Sequence, residues 1–222
     1  MPSISLVAQP LTHEAWAPYG DVIQGSEDPS TMPLSVITNK ITANPIPGHK
    51  FNRISPITSH YPSAGSPEAQ GTPHTAISVI RIGPPKGLEL GGQFEVRMLE
   101  RHAATSQAFI PFAKAGSEWE EFTGEKGLPE SRGGGMIVVG CLPGADGKPD
   151  LSTLKVFVSS PAQGVCYHAG IWHHSVVSFT HSDLAAIDTQ ITTDGSLLID
   201  LEIIRKTEGE DSFATVQLPK IL

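Results

Sequence analysis

The stretch QFEVRMLERHAATSQAFIPF (93–112) carries the reading that decides the fold class. At a two-residue period, Phe94, Val96 and Met98 share one face with Glu100 and His102. Glu95, Arg97, Leu99 and Arg101 then take the other face. An apolar stripe that ends in a glutamate and a histidine reads as a strand whose core face opens into a polar pocket. The competing reading leaves both residues at a solvated strand end. Outward from this stretch, short β-branched runs mark further candidate strands at 35–43, 76–82, 107–112, 136–141, 153–159, 164–168, 172–179, 184–191 and 197–204. They are separated by turns drawn from 19 Pro and 22 Gly. The one helix signal is near the start, where Thr12 can cap 13–17 and Pro18 and Gly20 close it. Without helices between the strands, a parallel βαβ sheet is not expected. The pattern predicts an all-β (mainly β) chain, a closed or double-sheet antiparallel β-barrel or jelly roll with few short helices.

Length and charge narrow the function classes. A β-rich chain of 222 residues fits one domain over 1–222. Loops are expected at 24–34, 56–73 and 124–135. The 23 acidic against 15 basic residues give net charge -8, and no basic patch is visible, so neither nucleic acid nor an acidic membrane surface is an expected partner. The start MPSISLVAQP has neither the basic residues nor the apolar run of a secretory signal, and no stretch reaches the length of a membrane span. A cytoplasmic location is expected. Cys141 and Cys166 are too few for a disulfide framework or a thiolate zinc site, and read as reduced thiols in strands.

The second informative segment is PAQGVCYHAGIWHHSV (161–176). In an extended chain His168, Trp172 and His174 fall on one face and Tyr167 and His173 on the other, unless Gly170 resets the alternation. Imidazole is both the commonest metal ligand and the natural acid–base group near neutral pH. At least one of the clustered histidines, His173 or His174, is expected to be structural. The two segments share the layout of the two cupin motifs: Glu100-x-His102, then Gln107, then Gly164…His168. This points to a cupin-like barrel. Glu100, His102, Gln107 and His168 then offer oxygen and nitrogen donors suited to a first-row divalent ion. The alternative uses the same residues, without metal, as acid, base and hydrogen-bond donors. No organic cofactor is expected.

LERHAATSQAFIPF (99–112) and DLSTLKVFVSSPAQGVCYHAGIWHH (150–174) resemble the signature segments of the ureidoglycolate lyases, and LVAQPLTHEAWAPYGDVI (6–23) resembles that family's N-terminus. The match runs in order from Leu6 to Asp188. It implies a cupin-type barrel, a homodimer, and cleavage of (S)-ureidoglycolate to glyoxylate and urea in allantoin and purine degradation. It also implies a divalent metal (nickel, zinc or manganese). Ala103 and Ser175 stand where the family typically has proline, and Thr189 where a bacterial member would have arginine. The long 56–73 and 124–135 loops look more like a fungal version. On this reading Glu100, His102 and His168 are the catalytic candidates. Gln107, Arg53, Lys155, Trp172 and His174 are the substrate-binding ones, with Lys50 and Arg81 as further cations for the substrate carboxylate. Trp172 walls the pocket or packs in the core, and Arg101 is a structural or interface partner. Other readings are a ureidoglycine aminohydrolase, a cupin isomerase, and a non-catalytic cupin that binds a small acid.

Overall fold

The computed structural model describes residues 3–41, 48–62, 71–114, 135–193, 196–198 and 200–220. Its middle layer is a seven-stranded sheet in the order β17 (Glu202–Arg205), β8 (Met98–Arg101), β13 (Trp172–His173), β10 (Met136–Cys141), β11 (Lys155–Val158), β2 (Gln9–Pro10), with β14 (Val177–Ser178) also on β10. On one side is a six-stranded sheet: β16 (Ser196–Leu198), β15 (Ser182–Thr193), β9 (Gln107–Lys114), β12 (Gly164–Tyr167), β3 (Gly20–Ile23), with β6 (Thr72–Ile82) along β15. On the other lie β1 (Ile4–Val7), β18 (Ala214–Gln217) and β7 (Gln93–Val96). β4 (Ile37–Ile41) and β5 (Gly48–Asn52) form a separate hairpin.

Two core clusters occupy the two faces of the middle sheet. Met136, Val138 and Phe157 pack with Phe109, Val165, Tyr167, Leu184 and Ala186 of the six-stranded sheet. Ile137, Val139, Cys141, Val156 and Trp172 turn the other way, onto Phe94, Val96, Ala214 and Val216. This stack overturns the expected cupin-like β-barrel and jelly roll. The protein is mainly β with few short helices, as expected, but none of the described sheets closes on itself. The physical reason is that alternation reports only that one face of a strand is buried, and an open stack of sheets buries faces as a barrel does. The distinguishing signal was the run MIVVGC (136–141), buried at all six positions because both faces are covered.

The stretch 93–112 is likewise not one continuous strand up to His102. β7 pairs with β18 in the three-stranded sheet, while β8 pairs with β13 and β17 in the middle one. The chain changes layer at Arg97, whose guanidinium donates to the Thr207 and Glu210 carbonyls. The alternation restarts there, so Leu99 joins Phe94 and Val96 in one cluster and Glu100 faces the opposite layer. The expected strands 172–179 and 197–204 are each broken in two, and β6 begins earlier than expected, at Thr72. The expected loop 24–34 contains a 3-10 turn, Pro29–Thr31. Nearly all of 124–135 and much of 56–73 lie outside the described residues.

Helix α1 (His13–Trp16) forms as its cap signals require: Thr12 Oγ1 accepts from the Ala15 N–H at 3.2 Å. Its single buried residue is Trp16, whose indole N–H donates to the Cys166 carbonyl at 3.2 Å. Gly20 on β3 makes this close approach possible, since a Cβ there would overlap that same carbonyl. The structure thereby ties the N-terminal segment to β12, the strand that leads into the site.

Candidate active site

At one end of the gap between the middle and six-stranded sheets, apolar packing gives way to polar side chains. β12 ends at Tyr167, and the chain turns through Gly170 at φ 83, left-handed backbone that suits a residue without a side chain. It re-emerges as β13 in the facing sheet. Tyr167 and His173 therefore stack on each other from opposite layers, ring centroids 4.1 Å apart. His102 stacks on the same imidazole at 5.7 Å. Glu100 is the cross-strand neighbour of His173, with its Oε1 3.7 Å from His173 Nε2. Gln107 is the cross-strand neighbour of Tyr167. Glu100, His102 and Gln107, named from sequence, are thus brought together with Tyr167 and His173.

Backbone carbonyls set the protonation of the histidines. His173 Nδ1 lies 2.9 Å from the Ile171 carbonyl, His102 Nδ1 2.6 Å from that of Asp200, and His174 Nδ1 2.7 Å from that of Ser175. A carbonyl only accepts, so the hydrogen bond places a proton on Nδ1 and leaves Nε2 as the ring nitrogen turned away from the carbonyl. Burial pushes the His173 pKa down to about 3, against a weaker opposing effect of the Ile171 carbonyl, so this ring is neutral at physiological pH. Burial also lowers His174, whose ring meets Phe94 edge-on. Burial, reinforced by the Glu100 charge, raises Tyr167; the Val139 amide lies close to the phenol without completing a hydrogen bond.

The arrangement is rich in acceptors. Gln107 Nε2 donates to Asp188 Oδ2 at 3.2 Å, which leaves Gln107 Oε1 buried with no hydrogen-bond partner. His173 Nε2 is buried and unpartnered too. Glu100 Oε1 accepts from the Ser175 hydroxyl, at 2.8 Å. Two acceptors facing one another at 3.7 Å are unfavourable unless a donor enters between them, because a buried polar atom without a partner costs about 1–3 kcal/mol. Ser175, which stands where the resemblance implies proline, is therefore the side chain that holds the carboxylate.

The remaining candidates are elsewhere. His168 follows the end of β12 and turns away from Tyr167 toward β3, with Nε2 3.2 Å from Asp21 Oδ2 and its side chain 46% exposed. Trp172 is buried in the other core cluster, donates to the Gly147 carbonyl at 2.9 Å and carries the Arg101 guanidinium over its ring. Arg101 also pairs with Glu202 at 2.7 Å. Lys50, Arg53 and Lys155 are exposed, and exposed Arg81 pairs with Asp183 at 2.8 Å. The ligand set Glu100, His102, Gln107 and His168 does not converge, because His168 faces away. Among the described residues no group of three or more His, Cys, Asp or Glu sits in metal-holding geometry. Both thiols are free and buried, and burial pushes each pKa up to about 11.

The His168–Asp21 pair gives a pH prediction. Its hydrogen bond to Asp21 raises His168 above the ordinary 6.5, more than partial burial lowers it. Burial alone would raise Asp21, but the His168 and Ser55 hydrogen bonds together hold it below the ordinary 3.8. The histidine's contribution is fully present below 6.5 and is lost as pH rises through its raised value. The aspartate's is present above 3.8 and is lost as pH falls through its depressed value. His168→Ala should therefore cost at most about 1 kcal/mol near pH 5, less near pH 9, for so exposed a pair. Activity should stay within about threefold, since the residue faces away from the cluster. Denaturant melts at both pH values and steady-state kinetics check this.

Layered sheets with a buried cluster of carboxylate, imidazole and amide groups between them define a mainly β protein with an internal polar cluster. The model of the family described as ureidoglycolate lyase matches residues 3–204. A ureidoglycolate lyase of Schizosaccharomyces pombe is 28% identical over 187 residues, covering 84% of each chain. One from Pseudomonas fluorescens is 30% identical over 179 residues, 81% of this chain and 80% of that one. One from Pseudomonas savastanoi is 31% identical over 179 residues, 80% of this chain and 78% of that one. The chain belongs to the ureidoglycolate lyase family. Yeast and bacterial relatives stand at comparable identity, so they lend the expected fungal character no particular support. No described helix is long and apolar enough to cross a membrane.

Proposed function

We propose that this protein cleaves (S)-ureidoglycolate to glyoxylate and urea, a carbon–nitrogen lyase step of allantoin and purine degradation. Family membership supports the reaction class. The structural observation that carries the reading is the buried contact in which the Glu100 carboxylate, held by Ser175, faces the unpartnered His173 Nε2 at 3.7 Å. The substrate is a carbinolamide, with a hydroxyl, a carboxylate and a urea nitrogen on one carbon. Glu100 takes the hydroxyl proton as the C–O bond becomes C=O. The C–N bond breaks with its electron pair going to nitrogen, and the same proton passes to that nitrogen to complete urea. The net change is one proton moved from oxygen to nitrogen, so neither a nucleophile nor an oxidant is needed. Ser175 aims the carboxylate, His173 Nε2 accepts from the bound substrate, and the neutral Tyr167 ring supports His173. No step is routed through a metal, because the expected ligands do not converge.

A coupled assay on racemic ureidoglycolate should show glyoxylate and urea formed in equal amounts, with half of the racemate consumed. Ammonia from ureidoglycine in place of urea would identify an aminohydrolase instead. Saturable binding without turnover would identify a small-acid-binding protein.

A further inference from the structure

The amide of Gln107 is oriented by chemistry rather than by packing. Asp188 presents a carboxylate, which only accepts, so the Gln107 NH2 group must face it. Asp188 takes a second N–H from Gln190 at 2.8 Å, which holds that carboxylate in place. Gln107 Oε1 is consequently directed away from Asp188, buried and unpartnered. On the facing layer His173 is locked by the Ile171 carbonyl with its own unpartnered acceptor, Nε2. Tyr167 links the two residues: Gln107 is its cross-strand neighbour, and His173 stacks on its ring.

Such a site selects by what it lacks. The unpartnered atoms of Gln107 and His173 are both acceptors, so these two residues reward a ligand that brings several N–H donors without a charge. A carboxylate placed there would bring no donor and would meet the like charges of Glu100 and Asp188. Of the two ends of a ureidoglycolate-like molecule, only the ureido end, with one internal N–H and a terminal NH2, matches. We propose, on the reading of function given above, that Gln107 Oε1 and His173 Nε2 form the ureido subsite. Gln107 is then the residue that selects carbamoyl compounds, and the substrate carboxylate points out of the cluster. Sites built to hydrogen-bond a group reject analogues lacking it, because their own buried atoms are left unpaired.

The test uses two unreactive ligands on the full chain, N-carbamoylglycine and N-acetylglycine, which differ by NH2 against CH3 at the terminal position. Calorimetric titration of the wild type should show the carbamoyl compound binding at least ~10-fold more tightly. In Gln107→Leu the ratio should fall to within about threefold, through weaker binding of the carbamoyl compound alone. Equal binding of both ligands by the wild type, or an unchanged ratio in the variant, overturns the proposal. If Gln107→Leu does not fold, Gln107→Met carries the same comparison with a side chain of similar length. Carbamoyl preference without glyoxylate release leaves the subsite standing and removes the reaction. Glyoxylate release without that preference removes the subsite and leaves the reaction.

Discussion

Glu100→Gln is expected to lower kcat by about 10²–10⁴-fold, the range typical for loss of a positioned acid–base group. The substitution keeps volume and shape, and the Ser175 hydroxyl can still donate to the amide oxygen as it does to Glu100 Oε1 at 2.8 Å. What disappears is the group that takes the hydroxyl proton. The new NH2 group could also donate to His173 Nε2, which lies 3.7 Å from Oε1 and has no partner. The variant should therefore melt at the same temperature as the wild type or a higher one, a stability–activity exchange common where acceptors are held face to face for a substrate. Loss of activity with loss of fold would point to a structural carboxylate, and kcat within threefold of wild type would falsify the assignment of Glu100 as base.

Trp16→Ala should be the most destabilising single truncation outside the site, by about 3–5 kcal/mol. The indole is fully buried, and its ring centroid lies 5.2 Å from Tyr19, 5.4 Å from Phe157 and 5.3 Å from Tyr167. Removing it leaves a cavity bordered by strands of two layers, which cannot collapse without moving both sheets. It also removes an N–H donor to the Cys166 carbonyl. Because Tyr167 rests on Trp16 and His173 rests on Tyr167, the folded fraction should also lose activity. Guanidinium chloride denaturation measures the stability, and kinetics at a temperature where the variant remains folded measure the rest. A cost under about 1.5 kcal/mol would mean that the layers repack around the gap.

Much of the site could be read from the sequence because its pieces are local. Glu100 and His102 are two residues apart, and Gln107 follows within a single turn of chain, so their shared neighbourhood follows from strand geometry. Alternation through 164–174 also separated Tyr167 and His173 from His168, Trp172 and His174. It did not show which set faces inward. That depends on Gly170, where the chain leaves one sheet and enters the next. The cupin spacing places His168 in the pocket, whereas the structure pairs it with the half-buried Asp21, away from the cluster. Ser175, Asp188 and Asp200 carried no pattern of their own: each matters through a contact with a residue distant in sequence.

By itself the sequence determined the family, the strand-rich composition, the capped helix at Thr12 and the chemical types of the site, all properties of neighbouring residues or of short motifs. The tertiary structure decided how the sheets stack, since burial of alternate residues is the same for a closed barrel and for open layers. It also decided the change of layer at Arg97, which turned Glu100 away from Phe94 and Val96 and onto His173. Hydrogen bonding did the rest. The Ile171 and Asp200 carbonyls and the Asp188 carboxylate fix which atoms of His173, His102 and Gln107 are turned away from their partners, a matter of groups meeting in space that no spacing along the chain records.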